Sequence, residues 1–131
     1  MTNPSVEERT QSGTAPPKAD FSILMVIKTR ADFLRAARGQ RWGTKGMMVQ
    51  GFDRSDKNPP RVGFTCSKKV GNAVARNRAK RRLREVARFG LPSMRAGWDY
   101  VLIGKAEVTA TRNFEDLKND LLYALKNIHE V

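Results

Sequence analysis

The segment from Arg61 to Arg88 constrains the fold of this chain most, because it combines a strand pattern with a long amphipathic helix. A short basic turn follows the strand; there Gly71 lets the backbone turn sharply, and Asn72 is a suitable N-cap. At about 100° per residue, the apolar residues of the helix fall on one broad arc. They are Ala75, Ala79, Leu83, Val86 and Phe89. The pattern predicts a strand–turn–helix unit whose helix packs one face on a sheet.

The opposite face of this helix carries a concentration of positive charge. Residues 68–88 include nine Lys or Arg and one acidic residue, Glu85. Like charges one helical turn apart repel each other, so a polyanion would stabilise such a face. The whole chain has 25 Lys and Arg against 13 Asp and Glu, a formal net charge of +12. This distribution is typical of nucleic-acid-binding proteins, and it disfavours a chain that is basic for solubility alone or held on anionic lipid.

The complete chain predicts the element order α–β–β–α–β–α and the fold class α+β. The elements are a helix at 29–38, strands at 45–52 and 61–67, the basic helix from Asn72, a strand at 98–104 and a helix after Asn113. The turn 54–60 predicts that the first two strands form an antiparallel pair. We expect a small α–β sandwich with helices on one face of the sheet. The other face would be partly open, which is a common way to hold single-stranded RNA.

Tail composition and the rare residues add further expectations. Residues 1–20 are polar and proline-containing, which predicts a disordered tail, followed by a single RNA-binding domain at 21–131. Cys66 is the one cysteine, which excludes an intrachain disulfide and fits a reduced, cytoplasmic setting. Cys66 and His129 are expected to be packing or surface residues. No apolar run approaches the roughly 20 residues that a membrane-spanning helix needs.

The residues around the basic helix resemble a known family. The stretch 67–85, SKKVGNAVARNRAKRRLRE, is similar to the signature of the protein subunit of bacterial ribonuclease P, with Arg76, Asn77 and Arg78 at its core. The preceding strand, RVGFTCSKK, also matches, and the resemblance extends from about residue 28 to residue 128. It implies an α–β sandwich in which the basic helix makes a left-handed crossover between parallel strands. That hand is contrary to the general rule, so the resemblance alone implies it.

The resemblance also implies a function. Proteins of this family bind a large catalytic RNA and the 5′ leader of precursor tRNA, and they promote endonucleolytic removal of the leader to form the mature tRNA 5′ end. Because the RNA is the catalyst, we expect no independent active site and no cofactor bound by the protein alone. Magnesium is expected in the ribonucleoprotein, held mainly by RNA. The implied partners are ribonuclease P RNA and precursor tRNA, in the cytoplasm, with no membrane and no obligate protein partner.

Site residues follow from the resemblance position by position. The catalytic RNA is expected to contact Lys68, Lys69, Asn72, Arg76, Asn77, Arg78, Lys80, Arg81, Arg82 and Arg84. The leader is expected in a cleft between the first helix and the sheet, with Phe33 as an aromatic platform beside Met48 and Gln50. Aromatic residues are frequent in the family at the positions of Ala37 and Gln50, so these departures predict weaker stacking of leader bases.

Two other functions would share the positive charge. A DNA-binding or ribosomal protein could carry a similar basic helix, and competition between duplex DNA and structured RNA would distinguish it. A protein-only nuclease needs clustered carboxylates to hold metal or to act as a general base. The acidic residues are instead scattered, and most are expected to be solvated charges or helix-start residues. They include Asp53, Asp56, Glu85, Asp99, Glu107, Glu115, Asp116 and Asp120.

Overall fold

The described part of the chain, residues 24–66 and 72–130 of a computed structural model, forms a five-stranded mixed sheet with helices on both faces. The strands are β1 (Met25–Val26), β2 (Gln40–Gly43), β3 (Met47–Asp53), β4 (Arg61–Cys66) and β5 (Trp98–Gly104). The helices are α1 (Arg30–Ala36), α2 (Ala73–Gly90), α3 (Ala106–Thr111) and α4 (Phe114–His129), and a 3₁₀ turn (Leu91–Ser93) follows α2. The order across the sheet is β1-β4-β5-β3-β2.

The centre of the sheet differs from the sequence prediction. The predicted antiparallel pairing of β3 with β4 is wrong, because β5 lies between them. β5 runs antiparallel to β3 and parallel to β4, so Val101 has Gln50 on one side and Gly63 on the other. Four consecutive residues of β5, from Asp99 to Leu102, are buried. Helices lie on both faces of the sheet, so a strand that is buried on both faces is accommodated at the centre, which explains the position of β5.

The basic helix α2 connects two parallel neighbours, β4 and β5, as the resemblance implies. Parallel neighbours cannot be joined by a tight turn, and α2 provides the crossover that they need. The left hand of that crossover stays an expectation. Asn72 is the N-cap, as predicted, and its Oδ1 accepts a hydrogen bond from the backbone N–H of Ala75 at 2.9 Å.

Three short elements were not predicted, and one was predicted too long. β1, β2 and α3 have two, four and six residues, too few to show a hydrophobic period. β2 pairs antiparallel with β3 through the turn at 44–46. α1 ends at Ala36 rather than at residue 38, and Thr29 caps it by accepting from the backbone N–H of Asp32 at 3.2 Å.

The two faces of the sheet carry cores of different size. The larger core lies between the sheet and helices α2 and α4. It includes Met47, Val49, Val62, Leu83, Val86, Tyr100, Leu102, Leu117, Leu121, Leu125 and Ile128. On the other face, α1 covers one end, where Ala36 packs with Ile27 and Val101. Because α1 lies on this second face, the prediction that helices cover only one face of the sheet is wrong. The remainder of this second face, which we call the open face, is partly exposed at Met48, Thr65 and Ile103.

Phe89, which the helical period places on the apolar arc of α2, is 48% exposed, and Phe114 at the start of α4 is 37% exposed. Gly90 makes the close contact between α2 and α4, since a Cβ at this position would come within 2.6 Å of Leu121. Successive helical residues point about 100° apart, so contact through Gly90 turns Phe89 outward. The ammonium of Lys118 lies 4.6 Å from the ring centroid of Phe89 and 5.6 Å from that of Phe114. Both rings therefore pack against a cation at the surface.

Candidate nucleic-acid interface

The outer side of α2 forms a shallow groove of about 640 Å³ lined largely by cationic side chains. Five of its lining residues are predicted RNA contacts, and we call this set the α2 ridge. It consists of Asn77, Arg78, Lys80, Arg81 and Arg84. All except Lys80, which is half-buried, are exposed. On the opposite side of the helix, Ala79 and Leu83 are buried, so the ridge faces solvent while the helix is fixed to the sheet.

The cations of the α2 ridge are not neutralised from within the described part of the chain. No carboxylate there lies within salt-bridge distance of Arg78, Lys80, Arg81 or Arg84. Arg84 instead lies over the ring of Phe64, at 5.3 Å from its centroid. Four positive charges within about two helical turns attract a polyanion and leave each guanidinium or ammonium available to it.

Arg82 was predicted to contact RNA, but its guanidinium is used within the protein. Its two terminal nitrogens donate to the carbonyl oxygens of Ala110 at 2.6 Å and Arg112 at 2.5 Å, at the end of α3. Burial, together with the nearby charge of Arg78, lowers the pKa of Arg82. Arg82 thus ties α3 to α2, and its contact with RNA stays a prediction.

We expect Arg82→Ala to lower the free energy of unfolding by about 2 kcal/mol, because it removes charge-assisted hydrogen bonds from two helix-end carbonyls. Arg81→Ala is the matched control: Arg81 is the exposed neighbour, and its loss should cost less than about 0.5 kcal/mol. Urea unfolding of both variants measures the difference. Equal stability of the two variants would show that the bonds from Arg82 do not hold α3.

The remaining predicted RNA contacts lie near the start of α2. Lys68 and Lys69 fall outside the described residues, and Asn72 uses its side-chain oxygen as the cap of α2. Arg76 and Lys80 are half-buried and lie near Cys66 at the end of β4. Burial raises the pKa of the Cys66 thiol, and the charges of Lys80 and Arg76 oppose that shift. The two cations therefore lie on the side of α2 that faces the end of β4.

The residues of the predicted leader cleft come together on the open face. Strand register aligns Gly63, Val101 and Gln50 in one row across the sheet, with Ile103 and Met48 in the next. The ring of Phe33 lies over this surface, since a Cβ at position 63 would come within 2.6 Å of it. Phe33 and Met48 are half-buried, whereas Gln50 is only 8% exposed. Phe33 and Met48 thus offer more surface to a ligand than Gln50 does.

One end of the cleft is built around a buried carboxylate that the sequence interpretation missed. Asp99 is 0% exposed, so the expectation of a solvated charge is wrong for this residue. Its Oδ1 accepts from Arg54 at 2.6 Å and from Arg61 at 2.8 Å, and its Oδ2 accepts from Arg61 at 2.8 Å. Asp32 of α1 joins this cluster, accepting from Arg61 at 3.3 Å and from Arg35 at 2.9 Å. We call these five residues the Asp99 network.

Ionisation of the Asp99 network follows from its hydrogen bonds. The bonds to Asp99 raise the pKa of the Arg61 guanidinium. The pKa of the Asp32 carboxyl is lowered, first by hydrogen bonding from Thr29; burial opposes this shift, and the charges of Arg61 and Arg35 add to it. These shifts favour the charged forms of Arg61 and Asp32. A charged residue inside the most apolar strand of the chain was the signal that could have identified Asp99.

His129 and the tryptophans lie in packing positions away from the α2 ridge. Nε2 of His129 is 2.6 Å from Oη of Tyr100, the ring of His129 packs edge-on against Trp98, and burial lowers its pKa. Trp42 packs edge-on against Tyr123. Across residues 24–66 and 72–130, no three His, Cys, Asp or Glu side chains are grouped as a metal site. Of the helices in these ranges, none has the length and apolarity to cross a bilayer.

A mixed sheet that carries a cationic crossover helix on one face and a partly open cleft on the other defines a small α+β nucleic-acid-binding protein. Sequence comparison then specifies the family. The family described as "Ribonuclease P" matches residues 21–129, and the chain belongs to it. Proteins of this family function with a ribonuclease P RNA in the ribonucleoprotein enzyme that processes tRNA 5′ ends.

Individual relatives agree with this assignment. The ribonuclease P protein component of Ruegeria pomeroyi is 59% identical over 111 residues, covering 82% of this chain and 89% of the relative. That of Paramagnetospirillum magneticum is 48% identical and covers 78% and 80%. The solved structure of the Staphylococcus aureus ribonuclease P protein superposes with a TM-score of 0.66 at 27% identity, covering 80% of this chain and 95% of that one. These likenesses confirm the fold class and the family that the sequence motif indicated.

Proposed function

We propose that this chain binds ribonuclease P RNA through the α2 ridge and holds the 5′ leader of precursor tRNA on the open face of its sheet. Through these two contacts it promotes endonucleolytic removal of the leader and formation of the mature tRNA 5′ end. The RNA supplies the catalytic site and holds most of the magnesium, and the complex acts in the cytoplasm. The observation that carries this proposal is the largely exposed α2 ridge, whose cations have no carboxylate partner within residues 24–66 and 72–130.

The chemistry of the α2 ridge suits a folded RNA. Arginine presents a planar fork of donors that matches phosphate, and its flat guanidinium also stacks on bases. Asn77 lies exposed among these cations. Its amide offers both donors and an acceptor, so it is able to recognise a base edge or a 2′-hydroxyl. The ridge therefore combines charge neutralisation with polar recognition in one groove.

The open face suits an unpaired strand. Phe33 provides an aromatic ring at the edge of the cleft, and Met48 provides polarisable apolar surface on its floor. An unpaired base stacks on such a ring in a manner that tolerates any sequence, as a leader of variable sequence requires. With Ala37 and Gln50 at positions where the family often has aromatic residues, Phe33 is the principal stacking residue in this cleft.

We expect Phe33→Ala to reduce the affinity of the reconstituted ribonucleoprotein for precursor tRNA about tenfold, because stacking contributes about 1–3 kcal/mol per base. Affinity for mature tRNA, which lacks the leader, should stay unchanged. Phe89→Ala is the matched control, because Phe89 is a partly exposed ring outside the cleft. Equal losses for precursor and mature tRNA would contradict the placement of the leader beside Phe33.

A competition experiment tests the choice of RNA over DNA. Labelled ribonuclease P RNA bound to the protein is challenged with unlabelled RNA or with duplex DNA of equal length, at the same salt concentration. We expect the RNA to compete at much lower concentration, because the α2 ridge and the open face are proposed to contact a specific fold and an unpaired strand. Equal competition by DNA would indicate that the protein binds RNA only through general attraction between charges.

A further inference from the structure

Helix α1, which carries Phe33, depends on tertiary contacts to keep its position over the sheet. It has seven residues, and helices of that length are marginal in water without tertiary contacts. Its apolar contacts belong to the smaller core, where Ala36 is the one buried residue of the helix. Leu34 of the same helix points outward and is 50% exposed. Apolar packing alone therefore gives α1 limited support over the sheet.

The Asp99 network supplies a second attachment. Asp32, in the first turn of α1, accepts from Arg61 at the start of β4 and from Arg35 one turn further along α1. Arg35 also lies 3.6 Å from Oδ2 of Asp99, and its guanidinium stands 5.1 Å from the ring centroid of Phe52 on β3. Charged hydrogen bonds thus connect α1 directly to the starts of β4 and β5.

The same network also holds the loop between β3 and β4 through Arg54. Arg54 donates to Asp99, to the Trp98 carbonyl at 2.8 Å and to both carboxylate oxygens of Asp56, at 3.0 and 2.9 Å. Asp32 and Asp56 are therefore comparable: each accepts from an arginine that is bound to Asp99. They differ in the element to which they belong, since Asp32 lies on α1 and Asp56 lies in the loop.

We propose that the Asp99 network is a positioning device for the leader cleft, in which Asp32 sets the place of α1 and so holds the Phe33 ring over the open face. Asp32 and Asp99 are positioning residues: they act through Phe33 and need no contact with RNA. This inference rests on the proposed function, because it assumes that the leader contacts Phe33. A fixed aromatic ring loses less freedom on binding than a mobile one, and a displaced ring contacts the leader poorly.

The test compares Asp32→Ala with Asp56→Ala, two variants that each remove one carboxylate that accepts from an arginine bound to Asp99 and that shift the net charge equally. Each is reconstituted with ribonuclease P RNA, and Kd is measured for precursor tRNA and for mature tRNA. The ratio of the two constants is the leader-dependent affinity. Binding of the ribonuclease P RNA itself reports whether each variant is folded, since the α2 ridge is intact in both. Phe33→Ala is measured beside them.

We expect Asp32→Ala to lower the leader-dependent affinity about fivefold, with affinities for mature tRNA and for the RNA subunit unchanged. Asp56→Ala should leave all three values unchanged. The inference is overturned if Phe33→Ala loses the leader-dependent affinity while Asp32→Ala keeps it. It is also overturned if Asp56→Ala loses as much as Asp32→Ala, which would indicate a general effect on the fold. If Phe33→Ala itself has no effect, the proposed leader site is wrong and this inference fails with it.

Discussion

Replacing Arg78, Arg81 and Arg84 together with glutamine is expected to weaken binding of ribonuclease P RNA about 100-fold at roughly 0.15 M salt. All three side chains are exposed in the α2 ridge, and none has a carboxylate partner in the described residues. Each neutralised phosphate releases counterions, which contributes about 0.7–0.9 to the slope of log affinity against log salt concentration. The slope of the triple variant should therefore fall by about 2–3.

A matched control separates the α2 ridge from overall charge. Replacing Lys57, Arg95 and Lys126 with glutamine removes the same charge from exposed positions outside α2. This variant should keep most of the affinity and nearly the full salt slope. A salt titration in which the two triple variants behave alike would contradict the assignment of the α2 ridge as the RNA-binding surface.

The largest expected effect on stability is that of Asp99→Ala, which should lower the free energy of unfolding by about 3–5 kcal/mol. The substitution leaves two guanidinium groups without their buried partner, those of Arg54, 8% exposed, and Arg61, 28% exposed. Arg54 keeps Asp56 and Arg61 keeps Asp32, but the loss of a fully buried partner costs far more than the loss of a surface ion pair. The loss is a large fraction of the stability of an ordinary domain.

Urea unfolding measures this effect, with Asp56→Asn as the control, because Asp56 bonds to the same Arg54 but lies exposed in the loop. The control should lose less than about 1 kcal/mol. A loss of under about 1 kcal/mol for Asp99→Ala would mean that water solvates both arginines once the carboxylate is removed, and that the network contributes little to holding the sheet and α1 together.

Local patterns in the sequence predicted α2 and its cap well. The apolar period, the Asn72 cap and the cationic face are all properties of one continuous segment, so nothing distant is needed to infer them. Leu83 and Val86 are buried and Arg81 and Arg84 are exposed, as the helical period requires. The same local logic predicted α4, whose cap Asn113 accepts from the backbone N–H groups of Glu115 and Asp116.

Features set by distant contacts were not predictable in this way. β5 is the most apolar strand, and it is buried best when it lies between β3 and β4. The turn-like loop that joins β3 to β4 gives no indication that another strand separates them. The outward position of Phe89 depends on Gly90 meeting Leu121 of another helix. Asp99 is stable in a buried position because the guanidinium groups of Arg54 and Arg61, which are 45 and 38 residues away in the sequence, donate hydrogen bonds to it. Periodicity within one segment contains no information about such partners.

The candidate site likewise contains residues that a local motif predicts and residues that depend on distant contacts. The residues of the α2 ridge were named from one motif, and the structure places them in one groove. Phe33, Met48 and Gln50 were named from the resemblance, and the strand register brings them to one face, although Gln50 is largely covered. The residues proposed to position the cleft were not predicted. The resemblance implied only residues expected to contact RNA, and Asp32 and Asp99 are not among them.

The most direct test of the account is cleavage of precursor tRNA at low magnesium concentration, with a ribonuclease P RNA alone, with this protein alone and with both together. We predict that cleavage at the mature 5′ end becomes efficient only when RNA and protein are combined, and that the protein alone cleaves nothing. Cleavage by the protein alone would reveal an active site within the chain. A cognate RNA whose activity is unchanged by the protein would contradict the proposed role of the α2 ridge and the open face.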